Sequence, residues 1–351
     1  MKILIGGSNS KIFHLNEFKN ALEKFNVETK IVNDIEIVDG FPSRNLKNSI
    51  KTHSKMNEII QEFVPDLILA DQPKHFALEV SKLKIPLLLH VRGDFWSEIK
   101  WAKETTYKKF PKTIVIKKWE EIGNKVFENA ECVLPICKFL ENRVHENYPN
   151  KMTHVMYQGI NSNNWFVEKG IKLKHPCIGL VQSANIWGKT REMLILKNVL
   201  KKLPNIMFYW VGDGPYAKII DSELSKFENF KWLGNLTYPN GVRQFLSEID
   251  IYALISGIDM APLTLLEAQL MKKPVIATSV GGIPEMMKDG KTGFLLRQGN
   301  NTDIVDKISI LMDDKTLEFG ENGKEFVKEN FSWEKVSEDF IKFVKEKFEL
   351  S

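Results

Sequence analysis

Cysteine is scarce in this sequence: Cys132, Cys137 and Cys177 are the only three in 351 residues. An odd number without metal-ligand spacing excludes a disulfide framework and a zinc ribbon, and it fits a reducing compartment with the thiols placed as core residues. Long apolar runs are missing as well. No stretch stays apolar for the roughly 18 residues that a membrane-spanning helix requires. The opening apolar run, Ile3 to Ile5, meets Gly6-Gly7 too soon to be the core of a secretory leader. A cytoplasmic protein is expected, with at most peripheral contact at the cytoplasmic membrane face. An excess of one charge sign is also absent. The formal net charge is +4, from 49 basic and 45 acidic residues, so charge alone makes no case for a nucleic-acid partner, which would need a concentrated basic face, and none is expected. There is no short-period repeat, no low-complexity tract, no Asp-x-Asp element near a strand end and no His/Cys cluster. No metal or other cofactor is therefore expected.

What is present is the makings of a packed core: 43% of the residues are hydrophobic and 27% charged, a globular composition. The length exceeds one ordinary core and predicts two α/β domains. Short apolar runs alternate with segments of helical period, the pattern of parallel sheets covered by helices. Ile3 to Ile5 reads as a buried strand and Gly6-Gly7 as its turn. Ile12, Leu15, Phe18, Leu22 and Phe25 recur at helical spacing before a second strand at Val27 to Val32. Further strands are expected at Leu67–Ala70, Leu87–Val91, Cys132–Pro135 and Met152–Tyr157, with a helix over Lys117–Asn129. The polar stretch Asn161 to Lys174 reads as a linker, after which strands recur at Ile178–Val181, Ile206–Val211, Ile251–Ile255 and Val275–Ala277.

The most informative stretch runs from Ser256 to Leu296. Pro262 opens a helix whose apolar stripe is Leu263, Leu266 and Leu270, and Glu267 falls on that stripe. A carboxylate there must be satisfied by a structural partner or by ligand hydroxyls. Eight positions earlier, Asp259 lies in a Gly-containing loop at a strand end. Gly281-Gly282 precedes an expected helix start, where freed backbone N–H groups and the positive helix end would receive anionic or strongly polar oxygens. Gly188-Lys189-Thr190 is not a P-loop, because Ser183 stands where that motif needs its first glycine, and Gly6-Gly7 lacks the third glycine of a dinucleotide fingerprint.

Asp259 to Glu267, Ala268, Pro274-Val275, Gly281-Gly282, Pro284-Glu285 and Gly293-Phe294 together resemble the sugar-nucleotide site of the retaining glycosyltransferases of the group 1 type, whose GT-B fold has two Rossmann-like domains facing across a cleft. Val211-Gly212-Asp213-Gly214-Pro215, Leu233-Gly234, Asp250-Ile251, Gln158-Gly159-Ile160-Asn161 and Phe331-Ser332-Trp333 extend the match. The resemblance implies an acceptor-binding domain at 1–165 joined by a C-terminal helix at 335–351, and a donor-binding domain at 166–334. It implies a hexose transferred from a nucleotide-diphosphate sugar with retention and without metal. Glu267 would bind the ribose and Asp259 the donor sugar. Lys189, Gly212 and Gly281-Gly282 would serve the phosphate region or the sugar, with Gly6-Gly7 meeting the phosphate from the first domain. Two departures stand out. Asp259 replaces the usual glutamate, and Gln182-Ser183-Ala184 occupy the usual arginine region, leaving Arg191 as the remaining candidate for a second positive charge.

In the first half, His90 and Arg92 end a buried strand and point the same way by strand alternation. They are candidates to stabilise the leaving diphosphate or the cationic sugar. A buried structural histidine and a salt-bridged arginine are the alternative. The other histidines, His175 among them, have no such setting. Between Trp96 and Trp119, Lys100, Lys103, Lys108, Lys109, Lys112, Lys117 and Lys118 interleave with Trp101, Tyr107 and Phe110. This composition suits an anionic membrane surface or, more simply, a solvated segment whose aromatics cover the core. The acceptor is thus expected to be a glycan, a lipid-linked molecule or a small molecule. A nucleotide-sugar epimerase or phosphorylase on the same scaffold, and a catalytically silent nucleotide-sugar-binding protein, are the competing readings.

Overall fold

The computed structural model describes residues 1–312 and 316–350. The chain divides into two units, Met1–Gly159 with Trp333–Ser351, and Ile160–Ser332.

In the first unit, β1 (Lys2–Gly7), β2 (Glu28–Asn33), β3 (Leu67–Ala70), β4 (Leu87–Val91) and β5 (Cys132–Pro135) form a parallel sheet in the order β2-β1-β3-β4-β5. Ile3, Leu4, Ile5, Leu67, Ile68, Leu87 and Leu88 are almost wholly buried, as a sheet covered on both faces requires. The helix Ile12–Glu23 buries Leu15, Phe18, Ala21 and Leu22, at helical spacing. The last helix, Trp333–Phe348, packs its buried face into the same core. Trp333 stacks on Phe18 and donates from Nε1 to Glu17 at 3.0 Å.

Two expectations about this unit change. Gly6-Gly7 is not a turn. Both glycines end β1, paired with Val32 and Asn33, and a Cβ on them would lie 2.2 Å from the Phe76 ring and 2.4 Å from Leu15. Their role here is to let neighbouring side chains pack against the strand. Met152–Tyr157 does not form a strand. It makes one parallel bridge, Thr153 to Val133, with Met156 N–H donating to Pro135 at 2.9 Å.

In the second unit, β6 (Cys177–Val181), β7 (Met207–Val211), β8 (Phe230–Gly234), β9 (Ile251–Leu254), β10 (Val275–Thr278) and β11 (Gly293–Leu296) are parallel, in the order β8-β7-β6-β9-β10-β11. The stretch expected as a linker is anchored to this unit. Arg243 donates to Glu168 at 2.6 Å and to the Asn164 carbonyl at 3.0 Å, and its guanidinium lies 4.2 Å from the Phe166 ring centre. The helix Leu263–Leu270 is buried all round from Leu265 onward, while Leu263 is only half-buried. It is an interior helix rather than the one-sided stripe expected, because the helix Thr316–Phe331 packs against it.

Both strand orders reverse direction next to their first strand, between β1 and β3 and between β6 and β9. Ligands of open α/β sheets bind outside the carboxyl ends of the strands at such points.

Candidate functional site

The switch point of the second unit gathers most of the residues singled out from the sequence. Past the end of β9, Ser256 is locked by Thr278, whose Oγ1 accepts its N–H at 3.0 Å. Ser256 Oγ in turn donates to the Ile258 carbonyl at 2.9 Å. The loop then delivers Asp259, whose carboxylate pairs with Lys189 Nζ. Gly257 N–H donates to the Lys189 carbonyl at 2.9 Å, tying the two loops together. Gly282 N–H donates to the Asp259 carbonyl at 2.9 Å. Gly281 sits at φ +56, and a Cβ there would lie 2.1 Å from the same carbonyl oxygen, so only glycine fits this approach. One correction applies: Gly281-Gly282 precedes a single 3-10 turn, Ile283–Glu285, not a helix. The backbone donors there act without a helix macrodipole behind them. Gly212 follows β7 and donates to the Gly234 carbonyl at 2.9 Å, and Arg191 is exposed.

Glu267 projects from the buried helix and is 1% exposed. Tyr238 donates its hydroxyl to Oε1 at 2.9 Å, while Oε2 has no hydrogen-bond partner among the described residues. Burial pushes its pKa up to about 8, with the Tyr238 bond opposing the shift. Gln182, just past β6, was passed over in the sequence as merely occupying an arginine's place. It is buried, and neither its side-chain oxygen nor its nitrogen has a partner among the described residues. Buried polar groups are normally hydrogen-bonded, so Glu267 and Gln182 mark this strand end as built for a polar ligand.

The first unit has its own cluster at its switch point. Asp71, directly after β3, accepts from Arg92 Nε at 2.5 Å and faces His90 Nδ1 at 3.2 Å, so the two candidates do point the same way. Arg92 also bonds Gln158. Burial would raise the Asp71 pKa, but the His90 hydrogen bond and the Arg92 charge outweigh it and hold the carboxyl below its usual range. Burial and the Arg92 charge push the His90 pKa down. His90 is 2% exposed, with Nε2 3.3 Å from the Met156 carbonyl, and is enclosed by protein, whereas Arg92 keeps part of its side chain accessible. Lys11 belongs to this neighbourhood too. Its pKa is lowered by burial and by the Arg92 charge, against the pull of Asp71. Gln158 was named only as part of the extended resemblance, and Asp71 and Lys11 carried no sequence signal, because they meet Arg92 only through the fold.

The basic and aromatic segment forms two helices, Phe95–Glu104 and Lys112–Asn129. Trp96 packs on Phe127 and Trp119 on His75, while Phe110, Trp101 and Ile114 are exposed. Lys103 and Lys118 are paired with Glu120 and Glu121. A pocket of about 350 Å³ lined by Trp96, Ile99, Lys100, Lys103 and Tyr148, among others, opens here. Among the described residues, no helix is long and apolar enough to cross a membrane.

The expected lack of any His/Cys cluster is corrected. His175, Cys177 and Asp250 converge at the amino ends of β6 and β9, because these neighbouring strands bring together residues 73 positions apart.

The two Rossmann-like parallel sheets have the GT-B architecture. Sucrose-phosphate synthase from Thermosynechococcus elongatus superposes with a TM-score of 0.74 at 14% identity over 100% of both chains. HepE of Anabaena in complex with UDP superposes at 0.72 and 16% identity, over 99% of this chain and 100% of the other. Residues 188–314 match the family described as Glycosyl transferases group 1, and this matched region holds the stretch from Asp259 to Phe294 on which the resemblance was read. An uncharacterized glycosyltransferase of Methanocaldococcus jannaschii is 30% identical over 211 residues, 59% of this chain and 57% of that protein. The N-acetyl-alpha-D-glucosaminyl L-malate synthase of Bacillus anthracis is 30% identical over 224 residues, 60% of this chain and 58% of that protein. The chain thus spans under two thirds of these relatives' length.

Proposed function

We propose that this protein transfers a hexose from a nucleotide-diphosphate sugar to an acceptor with retention of anomeric configuration. The observation that carries the reading is Glu267: a carboxyl group buried in an apolar helix, with one oxygen unpartnered among the described residues, inside the region that matches the group 1 family. Vicinal ribose hydroxyls are suited to such a group, since both donate to one carboxylate. Asp259, fixed by Gly282 and paired with Lys189, is assigned to the sugar hydroxyls. As the sugar and diphosphate separate, Lys189 is released to the departing negative charge, and the N–H of Gly281 assists. Such preorganised donors are the main source of catalysis when charge develops. The donor's own phosphate takes the acceptor proton, so no protein base is required.

The first unit is assigned to the acceptor. Arg92, held in place by Asp71 and Gln158, is its contribution to charge stabilisation, and His90 is a positioning residue beneath it. Neutralisation by Lys189 and the Gly281 N–H makes a divalent metal unnecessary at the reacting centre, so transfer should persist in excess chelator. The relative named N-acetyl-alpha-D-glucosaminyl L-malate synthase and the structure of HepE in complex with UDP-glucose support a nucleotide-sugar donor.

The test is a thermal-shift screen of nucleotide-diphosphate sugars, followed by turnover with candidate acceptors and NMR of the product's anomeric carbon. A true donor at about 100 times its dissociation constant should add about 2.7 kcal/mol of stability. Turnover without acceptor would identify an epimerase or phosphorylase, and stabilisation without any turnover would identify a silent binding protein. Inversion at the anomeric carbon would refute retention.

A further inference from the structure

At the amino-terminal edge of the second sheet, remote in the strand direction from the donor residues, four side chains with metal-binding chemistry meet. His175 precedes β6, Cys177 is its first residue, and Asp250 immediately precedes β9, with Glu248 two residues further back. His175 Nδ1 is 2.9 Å from Asp250 Oδ2 and 3.7 Å from Cys177 Sγ, and these three ligand atoms all lie within 4.8 Å of one another. Zinc bonds of about 2.0 to 2.3 Å at a tetrahedral angle give ligand-to-ligand edges of roughly 3.3 to 3.5 Å, between the two spacings found. The groups around the trio also fit. Glu248 Oε1 lies 3.1 Å from His175 Nε2, where a metal-bound imidazole commonly gives its remaining proton to a carboxylate. Cys177 N–H donates to Asp250 Oδ2 at 2.7 Å, which fixes that oxygen and leaves it a further lone pair.

We infer that His175 Nδ1, Cys177 Sγ and Asp250 Oδ2 form a binding site for a zinc-type divalent cation, with Glu248 orienting the histidine and water completing the tetrahedron. The thiol S–H bond breaks as the metal–sulfur bond forms. Its proton goes to solvent, as does any proton on Nδ1, while Nε2 keeps the proton given to Glu248. One thiolate and one carboxylate then balance the charge of the cation. Because the cysteine binds as its thiolate, binding of the cation releases a proton. Lys273, whose ammonium is held at the Ser247 carbonyl at 2.9 Å, is the cation nearby that works against it. Because the site clamps the central strand pair at its amino ends, its effect is on the stability of this unit. The inference is independent of the donor assignment.

The test is titration of the full chain with Co2+, followed by competition with Zn2+. One equivalent of Co2+ should give visible d–d bands of tetrahedral intensity and a thiolate-to-cobalt charge-transfer band, and Zn2+ should displace it. Cys177→Ser should lose the charge-transfer band. His175→Gln, at a more exposed position, should weaken binding at least tenfold, and Glu248→Gln should weaken it by about 10- to 100-fold. Cys132→Ser should leave the spectrum unchanged. Absence of a one-equivalent signal in the folded wild-type protein would overturn the site, as would a charge-transfer band that persists in Cys177→Ser. Either result would identify His175 as only an ion-pair partner of Asp250 and Glu248. None of these readouts uses sugar transfer, so the outcome does not depend on the proposed activity.

Discussion

Replacing Glu267 by glutamine tests the donor site and its electrostatics in one step. Burial pushes the carboxyl pKa up to about 8, so at pH 7 the ligand-free side chain is mostly protonated, and ionising it costs about 1.4 kcal/mol. Each hydroxyl that donates to the ionised carboxylate contributes about 1.5 to 3 kcal/mol. Glutamine offers one acceptor oxygen, so the variant forfeits one such bond. At pH 9, where the wild-type carboxylate is ionised, donor affinity should fall by about 10- to 150-fold. At pH 7 the ionisation cost offsets roughly a factor of ten. The ratio of the two dissociation constants should therefore grow by about tenfold from pH 7 to pH 9, while the variant's own affinity stays flat. Calorimetry at pH 7 in two buffers of different ionisation enthalpy should show proton release on donor binding to wild type and none to the variant. Without donor, a carboxyl whose folded pKa lies above its ordinary 4.5 stabilises the fold fully below pH 4.5. That stability is lost as pH rises through the folded value, at up to about 1.4 kcal/mol per unit, and the glutamine variant should lack this slope. Equal donor affinity of the two folded proteins at pH 9 would refute the assignment.

Three further predictions concern other sites. Asp71→Asn leaves Arg92 without its carboxylate and should destabilise the first unit by about 3 to 5 kcal/mol in denaturant titrations. The stability Asp71 contributes is present above its ordinary pKa and lost as pH falls through its lowered one, so the variant should also show a flatter acid limb, and an unchanged limb would contradict the network. Gly281→Ala should cost about 1 to 3 kcal/mol from strain and weaken donor binding by moving the Asp259 carbonyl; calorimetric unfolding that matches wild type would count against that contact. If the exposed Phe110, Trp101 and Ile114 with their lysines meet a membrane, the protein should co-sediment with anionic vesicles at low salt and not with neutral ones. Equal behaviour with both lipids would leave the segment as solvated surface.

Much of this protein follows from local sequence alone. Buried strands such as Leu67–Ala70, Leu87–Val91 and Cys132–Pro135 have the bounds expected from their apolar runs, since a strand covered on both faces admits few polar residues. The motif from Asp259 to Gly282 was likewise legible, because its loops are close in sequence. Where local pattern was shared by two structures, it misled. Gly-Gly after an apolar run serves a strand end as well as a turn, and Gly281-Gly282 leads into a 3-10 turn where the pattern resembled a helix start.

Tertiary structure alone decided which polar groups meet. Asp71 meets Arg92, and Cys177 meets Asp250, because strand order, which no local pattern specifies, places distant strand ends side by side. It also decided the state of Glu267. Its position on the helix was evident from spacing, but its raised pKa arises from surrounding residues that exclude water, and among the described residues Tyr238 supplies its one hydrogen bond and leaves the other oxygen unpartnered.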